Sequence, residues 1–198
     1  MPRPLRVWFP GAWYHITARG NNREAIFFAA RDCQRYMRLL KDVMSQYECR
    51  IHAYALMPNH VHLMVETGAT HPIAKPMQAL HGAYTVYINR KYKRVGHVFQ
   101  GRYHSVLVTQ DTYALELSRY IHLNPVRAHL VSDPADYPWS SYQDYIDPTR
   151  NNREWIVTDH ILATLSPHVN GQRKSYRQFI SEGVRPQAWK LAKNERGV

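Results

Sequence analysis

The sequence has few cysteines, few acidic residues and no long apolar run, and each shortage excludes a class of protein. Cys33 and Cys49 are the only cysteines in 198 residues. They are too few for a disulfide framework or a zinc ribbon and fit a reduced, cytoplasmic protein. No apolar stretch approaches the roughly 20 residues of a membrane-spanning helix. We therefore expect no membrane association, and the mixed segment around Arg3 and Arg6 does not have the pattern of a signal peptide.

The shortage of acidic residues leaves a strong positive charge. Lys and Arg number 26 against 15 Asp and Glu, which gives a net charge of +11 with neutral histidines and a pI near 9.8. A field of this size attracts polyanions, of which nucleic acid is the commonest. The 14 tyrosines and 5 tryptophans favour that partner, because exposed rings can stack on unpaired bases. The alternative is a basic protein without such a partner.

The order of the predicted elements indicates one α+β domain. Hydrophobic patterns predict strand, helix, strand, strand, helix, strand and helix, with a tight turn at Pro58-Asn59 between the second and third strands. Adjacent strands joined by so short a turn are antiparallel. The sequence therefore predicts a ferredoxin-like antiparallel sheet with helices packed on it. The helix that begins at Asp111 is expected to break at Asn124-Pro125, because a residue before proline disfavours helical geometry.

Two histidines open the third predicted strand. Because side chains alternate along a strand, His60 and His62 point to one face, with Cα atoms about 6.6 Å apart, while Val61, Leu63 and Val65 point to the other. Two imidazoles on a rigid strand can chelate one metal ion. With 12 histidines in the chain, however, about 0.7 such triplets are expected by chance. The pair alone therefore does not establish a metal site.

Tyr120 and Asn124 are four residues apart in the helix predicted from Asp111, and so they lie on one helix face about 6 Å apart. If that face packs against the histidine strand, the Asn124 side-chain oxygen can complete a metal site and the Tyr120 hydroxyl can attack a phosphate there. The alternatives are a packed tyrosine and an asparagine that caps a helix starting at Pro125. His122 should face elsewhere. Spacing alone does not exclude the other candidate tyrosines, Tyr84, Tyr87 and Tyr113.

Four motifs then occur in an order typical of one family. They are Trp13-Tyr14-His15-Ile16-Thr17-Ala18-Arg19-Gly20-Asn21, Tyr54-Ala55-Leu56-Met57-Pro58-Asn59-His60-Val61-His62, Phe99-Gln100-Gly101-Arg102-Tyr103 and Arg119-Tyr120-Ile121-His122-Leu123-Asn124-Pro125-Val126-Arg127-Ala128. Together they resemble the REP-associated tyrosine transposases, which are single-tyrosine HUH transposases. The resemblance covers roughly residues 10 to 145, and the stretch from Tyr176 to Gly183 is similar to longer members.

The resemblance implies a role for each candidate residue. His60 and His62 correspond to the HUH pair that binds a divalent ion, Mg²⁺ or Mn²⁺; Asn124 corresponds to the third ligand, and Tyr120 to the nucleophile. It implies a metal-dependent single-stranded DNA endonuclease and strand transferase. Such an enzyme acts on REP-type palindromic hairpins through a 5′-phosphotyrosine intermediate. A domesticated protein that binds such hairpins without cutting them is the alternative function.

The resemblance also implies a monomer whose tyrosine acts in cis, with a homodimer as the alternative. Within the chain, residues 1–149 are predicted to form the HUH domain and residues 150–198 a C-terminal helical extension with a basic tail. That extension either adds a DNA-contact surface or simply packs on the domain.

Seven arginines are candidates for contacts with DNA phosphates, because guanidinium groups pair with them. The cluster from Arg90 to Arg94 can equally complement the dipole at the end of its helix. The candidates are Arg3, Arg6, Arg19, Arg90, Arg94, Arg102 and Arg119.

Overall fold

A four-stranded antiparallel sheet forms the centre of the computed structural model, which describes residues 8–109, 111–150 and 155–184. Its strands are β1 (Trp13–Arg19), β2 (Arg50–Met57), β3 (His60–Glu66) and β4 (His104–Val108). Their order across the sheet is β2-β3-β1-β4, and each neighbouring pair is antiparallel. Helix α1 (Ala30–Gln46) connects β1 to β2, and α2 (Ala74–Tyr92) connects β3 to β4. This βαββαβ order is the predicted ferredoxin-like plan, which is confirmed.

Four further helices follow the sheet along the chain. They are α3 (Asp111–Arg127), α4 (Tyr142–Ile146), α5 (Asp159–Ala163) and α6 (Val169–Glu182). Single 3₁₀ turns are present at Asn21–Arg23, Pro134–Asp136 and Pro148–Arg150. None of the helices within the described residues is both long and apolar enough to cross a membrane.

Helices cover both faces of the sheet, and each face has its own core. On one face, α1 and α2 pack over the large apolar side chains of the strands, such as Ile16, Leu63 and Val65, all fully buried. On the other face, α3 to α6 pack over a smaller set that includes Ala53 and Ala55 of β2. Because the side chains of these two alanines are small, α3 can approach the strand closely.

Helix α3 runs without a break through Asn124 and Pro125 to Arg127. The predicted interruption is therefore wrong, and Asn124 does not cap a new helix. A proline inside a helix costs about 3 kcal/mol because it removes one hydrogen bond and crowds the preceding turn. Here only two helical residues follow, so the proline lies in the last turn of α3. The Asn124 amide nitrogen donates to the Tyr120 carbonyl at 2.8 Å, and the Leu130 N–H donates to the Pro125 carbonyl at 3.0 Å.

The chain beyond α4 packs directly on the sheet. The Val157 N–H donates to the Ile51 carbonyl at 2.8 Å, so this segment adds to the outer edge of β2. The predicted boundary between residues 149 and 150 adjoins residues 151–154, which lie outside the described residues.

Candidate active site

The candidate site lies where β1, β3 and α3 meet, on the α3 face of the sheet. His60 and His62 point to this face, and their ring centroids are 5.0 Å apart. The Tyr120 ring approaches from α3, with its centroid 5.4 Å from that of His62. Two of the other candidate tyrosines are elsewhere: Tyr84 is buried in the opposite core, and Tyr87 donates to Asp32 at 2.9 Å. Tyr113 lies on α3 itself, two turns before Tyr120. The structure therefore brings Tyr120 to the histidine pair.

His60 is held with one defined ring nitrogen toward the protein. Its Nδ1 lies 2.7 Å from the Asn59 Oδ1, and the Asn59 amide nitrogen donates to the Arg23 carbonyl at 2.9 Å. Because an amide oxygen only accepts, the Nδ1 of His60 must carry the proton, and the lone pair is on Nε2. Burial, together with the positive charge of Arg19, lowers the pKa of His60 to about 4. His60 is therefore neutral at pH 7, as a metal ligand must be.

His62 is oriented by a third histidine, His15 on β1. The His15 Nε2 lies 3.0 Å from the His62 Nδ1, and both side chains are buried. This contact directs the Nδ1 edge of His62 toward β1, so a metal ion would be held through Nε2. The His15 ring also lies edge-on to Tyr120, with centroids 5.9 Å apart. His15 therefore contacts a predicted metal ligand and the predicted nucleophile.

Asn124, the predicted third ligand, has one side-chain atom available to a cation. It lies one turn beyond Tyr120 on α3, and its side-chain amide nitrogen donates a hydrogen bond to the Tyr120 carbonyl. The amide atom that a cation would use is therefore Oδ1, the harder donor. Among the described residues, no three His, Cys, Asp or Glu side chains converge in a metal-binding group. A metal site built on the two imidazoles would thus depend on an oxygen such as that of Asn124, which gives a mixed set of nitrogen and oxygen donors.

The predicted DNA-contact arginines occupy different environments. Arg19 is exposed beside His60, its partner across the β1–β3 pair. Arg90 and Arg102 are exposed, whereas Arg94 pairs with Glu24 at 2.8 Å. Arg3 and Arg6 lie outside the described residues.

Arg119, like Arg94, is engaged within the protein, and it has two partners. It donates to both carboxylate oxygens of Glu116 and stacks over Phe179, with the guanidinium carbon 4.1 Å from the ring centroid. A contact of Arg119 with DNA, which stays a prediction, would have to compete with these internal partners.

His122 faces away from the site, as the helical spacing predicted. It is fully buried, with Nδ1 2.7 Å from the Tyr176 hydroxyl and Nε2 2.8 Å from the Ser141 hydroxyl. Burial lowers the pKa of His122 to about 3. A side chain so enclosed cannot exchange protons with a DNA substrate.

Three residues of this site, His15, Asn59 and Arg127, have roles that the sequence alone does not predict. His15 and Asn59 were in the quoted motifs, but only strand pairing shows which histidine each one orients. Arg127 places its guanidinium carbon 5.5 Å from the Tyr120 ring centroid. Its position two turns after Tyr120 was the available signal, since residues seven apart share a helix face.

Comparison with known proteins adds a family and a fold. A family model described as "Transposase IS200 like" matches residues 9–124. The structure is similar to that of a REP-associated tyrosine transposase bound to a REP hairpin, with a TM-score of 0.65. The two chains are 16% identical, over 79% of this chain and 89% of that one. At this identity the similarity establishes the fold.

A second similar structure is a candidate transposase from Deinococcus radiodurans R1. It is 21% identical, over 61% of this chain and 95% of that one, and its TM-score of 0.44 is too low to support a conclusion. No curated protein matches the chain.

Proposed function

Because the chain belongs to the IS200-like transposase family, we propose that it cleaves and rejoins single-stranded DNA beside a hairpin, with Tyr120 as the nucleophile. The observation that carries this proposal is the position of the Tyr120 ring, 5.4 Å from His62 at the edge of the histidine pair. A tyrosine whose ring is next to two imidazoles that hold a metal ion can reach a phosphate bound to that ion.

The reaction exchanges one phosphate ester for another. The Tyr120 oxygen attacks the scissile phosphorus, the bond from phosphorus to the 3′ oxygen breaks, and a 5′-phosphotyrosine forms. The phenol proton is lost to solvent, and the departing 3′ oxygen takes up one proton, so the charges balance. Because the energy of the phosphodiester is retained in the tyrosyl ester, attack by a 3′-hydroxyl can rejoin DNA without ATP.

The residues around Tyr120 support a metal-dependent reaction. We propose that the Nε2 atoms of His60 and His62, with the Oδ1 of Asn124, hold Mg²⁺ or Mn²⁺. When bound, the ion polarises the phosphoryl oxygens and helps to stabilise the phenolate. The protein itself orients the ligands: Asn59 fixes the protonated nitrogen of His60, and His15 fixes the ring of His62. The guanidinium of Arg127 places a positive charge beside the Tyr120 ring.

We propose that the DNA partner is a REP-type hairpin with an adjoining single strand, recognised by a monomer. The similar structure is of a REP-associated transposase bound to a REP hairpin. The exposed arginines Arg19, Arg90 and Arg102 are our candidates for phosphate contacts, together with Arg94. In a single chain Tyr120 already lies beside its own His62, which favours cleavage in cis.

A labelled adduct tests the proposal. The protein is incubated with Mn²⁺ and two forms of one hairpin substrate, labelled at the 3′ end or at the 5′ end. The 3′-labelled DNA should become attached to the protein and survive denaturation, whereas the 5′-labelled fragment should be released with a free 3′-hydroxyl. Tyr120→Phe should form no adduct, and Tyr113→Phe on the same helix is the matched control.

The result also separates an enzyme from a binding protein. If the wild-type protein binds hairpins but forms no adduct with any of them, it is a non-cleaving palindrome binder. An adduct with Tyr120→Phe would mean that another residue is the nucleophile.

A further inference from the structure

We infer that the C-terminal part of the chain positions the nucleophile helix, and that His122 and Tyr176 are positioning residues for Tyr120. We call Ser141, Tyr176, Phe179 and Gly183 the clamp, because all four contact α3 from outside it. The inference rests on the proposed role of Tyr120. The clamp residues lie beyond residues 9–124, which match the family model, so the family match does not account for them.

The first anchor is a buried chain of hydrogen bonds between the clamp and α3. His122 lies between Ser141, at 2.8 Å, and Tyr176, at 2.7 Å. The Tyr176 hydroxyl also lies 2.9 Å from the Ser118 hydroxyl, which donates to the Leu115 carbonyl at 2.7 Å. His122, Tyr176, Ser118 and Ser141 are all fully buried.

One assignment of protons satisfies each of these short contacts. Ser141 donates to the His122 Nε2, the His122 Nδ1 donates to Tyr176, Tyr176 donates to Ser118, and Ser118 donates to the Leu115 carbonyl. His122 is neutral in this arrangement, in agreement with the low pKa that burial gives it. Because a half-satisfied buried network is costly, the loss of one hydroxyl should weaken all the hydrogen bonds of this network.

The second anchor lies one turn earlier on the same face of α3. The Arg119 guanidinium stacks on the Phe179 ring and donates to the Phe179 carbonyl at 3.4 Å. At the end of α6, Gly183 lies so close to α3 that a Cβ there would be 2.6 Å from the Arg119 Cδ and 2.9 Å from the Leu123 Cδ1. The absence of a side chain at Gly183 therefore permits this approach.

The two anchors fix the rotation of α3 about its axis. Arg119, His122 and Leu123 have the spacing of one helix face, and Tyr120 is displaced from Arg119 by about 100° around the helix. The Tyr120 hydroxyl is roughly 9 Å from the helix axis, so a rotation of about 20° would move it by about 3 Å. Since a displacement of about 1 Å can reduce a rate about 10²-fold, small changes in helix rotation should govern cleavage.

Tyr176→Phe tests the inference, because it removes one hydroxyl and keeps the ring. We expect the single-turnover rate of adduct formation at saturating hairpin to fall about 10-fold or more, with the Kd for the hairpin unchanged. The matched control is Tyr145→Phe. Tyr145 is equally buried and stacks on Tyr176, but its hydroxyl donates to the His52 carbonyl of β2, not to α3.

A second variant, Phe179→Leu, removes the other anchor and gives the same expectation if Tyr176→Phe does not fold. All rates are measured well below each variant's Tm. If the substituted residue had a purely structural role, its loss would lower the Tm but would not reduce the rate of adduct formation by the folded protein. The inference is overturned if Tyr176→Phe and Phe179→Leu cleave at the wild-type rate, or if Tyr145→Phe slows cleavage equally. Failure of the wild-type protein to form an adduct would instead overturn the proposed function.

Discussion

The two faces of the sheet are built from the same strands but contain different kinds of side chain. Along β3, Val61, Leu63 and Val65 enter the core beneath α1 and α2, whereas His60 and His62 face α3. Along β1, Ile16 enters that first core, and His15 faces the site. The first face is closed mainly by apolar packing, whereas the second combines an apolar core with hydrogen bonds between imidazoles, amides and hydroxyls.

Within a single strand, the side chains on one face therefore contribute mainly to stability, and those on the other face contribute to the proposed chemistry. The apolar face holds the strands in register by burial, which is tolerant of small changes in direction. The polar face depends on specific donors and acceptors, whose orientation is set by partners such as Asn59 and His15. Substitutions on the apolar face should therefore change the free energy of unfolding, and substitutions on the polar face should change metal binding and cleavage.

The largest effect is expected from His62→Ala on the polar face. Loss of a metal ligand should reduce adduct formation by about 10³-fold or more. Mn²⁺ binding, followed by electron paramagnetic resonance of the free ion, should weaken as well, while hairpin affinity stays close to that of the wild type. A large loss of hairpin binding would assign His62 to DNA contact and would remove the basis for a metal site.

The neighbouring residue on the apolar face should give the opposite result. Leu63→Ala removes a fully buried side chain and should lower the free energy of unfolding by about 2–5 kcal/mol. Measured by chemical denaturation, this loss should be accompanied by wild-type cleavage rates in the fraction that remains folded. Slow cleavage by the folded fraction would show that the two faces are coupled.

A smaller effect is expected from His15→Phe, which keeps a ring but removes the hydrogen bond to His62. Substitution of a residue that orients a metal ligand typically costs about 10–100-fold in metal affinity. Titration with Mn²⁺ should show a shift of this size, with a parallel decrease in adduct formation. His104→Phe, on the exposed part of β4, serves as the control, and an equal shift in both variants would contradict the role of His15.

The smallest effect concerns pH and the buried His122. Its pKa is about 3 when folded and about 6.5 when unfolded, so below pH 6.5 the unfolded chain binds the extra proton. The free energy of unfolding should therefore decrease as the pH falls from 6.5 toward 3, by at most about 1.4 kcal/mol per pH unit from this residue.

Denaturation of the wild type and His122→Gln at pH 7, 6 and 5 measures this dependence. The variant should be less stable at pH 7 but should lose less stability on acidification. Tyr145→Phe should retain the wild-type dependence of stability on pH, because the tyrosine hydroxyl stays protonated from pH 5 to 7. Parallel slopes for wild type and His122→Gln would contradict the assignment.

Much of this architecture could be predicted from local patterns. The alternation along β3 and the short turn before it predicted the hairpin, and the order of the elements predicted the antiparallel sheet with helices packed on it. The continuation of α3 through Pro125 was not predicted, because the core in which α3 packs is built from residues far apart in the sequence. The roles of His15 and Arg127 required the pairing of β1 with β3 and the position of α3, which are long-range features.

The alternation between polar and apolar side chains at the start of β3 also limits how this chain can change during evolution. A one-residue slip of β3 against its neighbours would move every side chain to the other face. His60 and His62 would then enter the apolar core, and the valines and leucine would line the site, so binding and folding would fail together. The length of the Pro58–Asn59 turn is therefore constrained, and an inserted residue there should be rejected even though the turn lies at the surface.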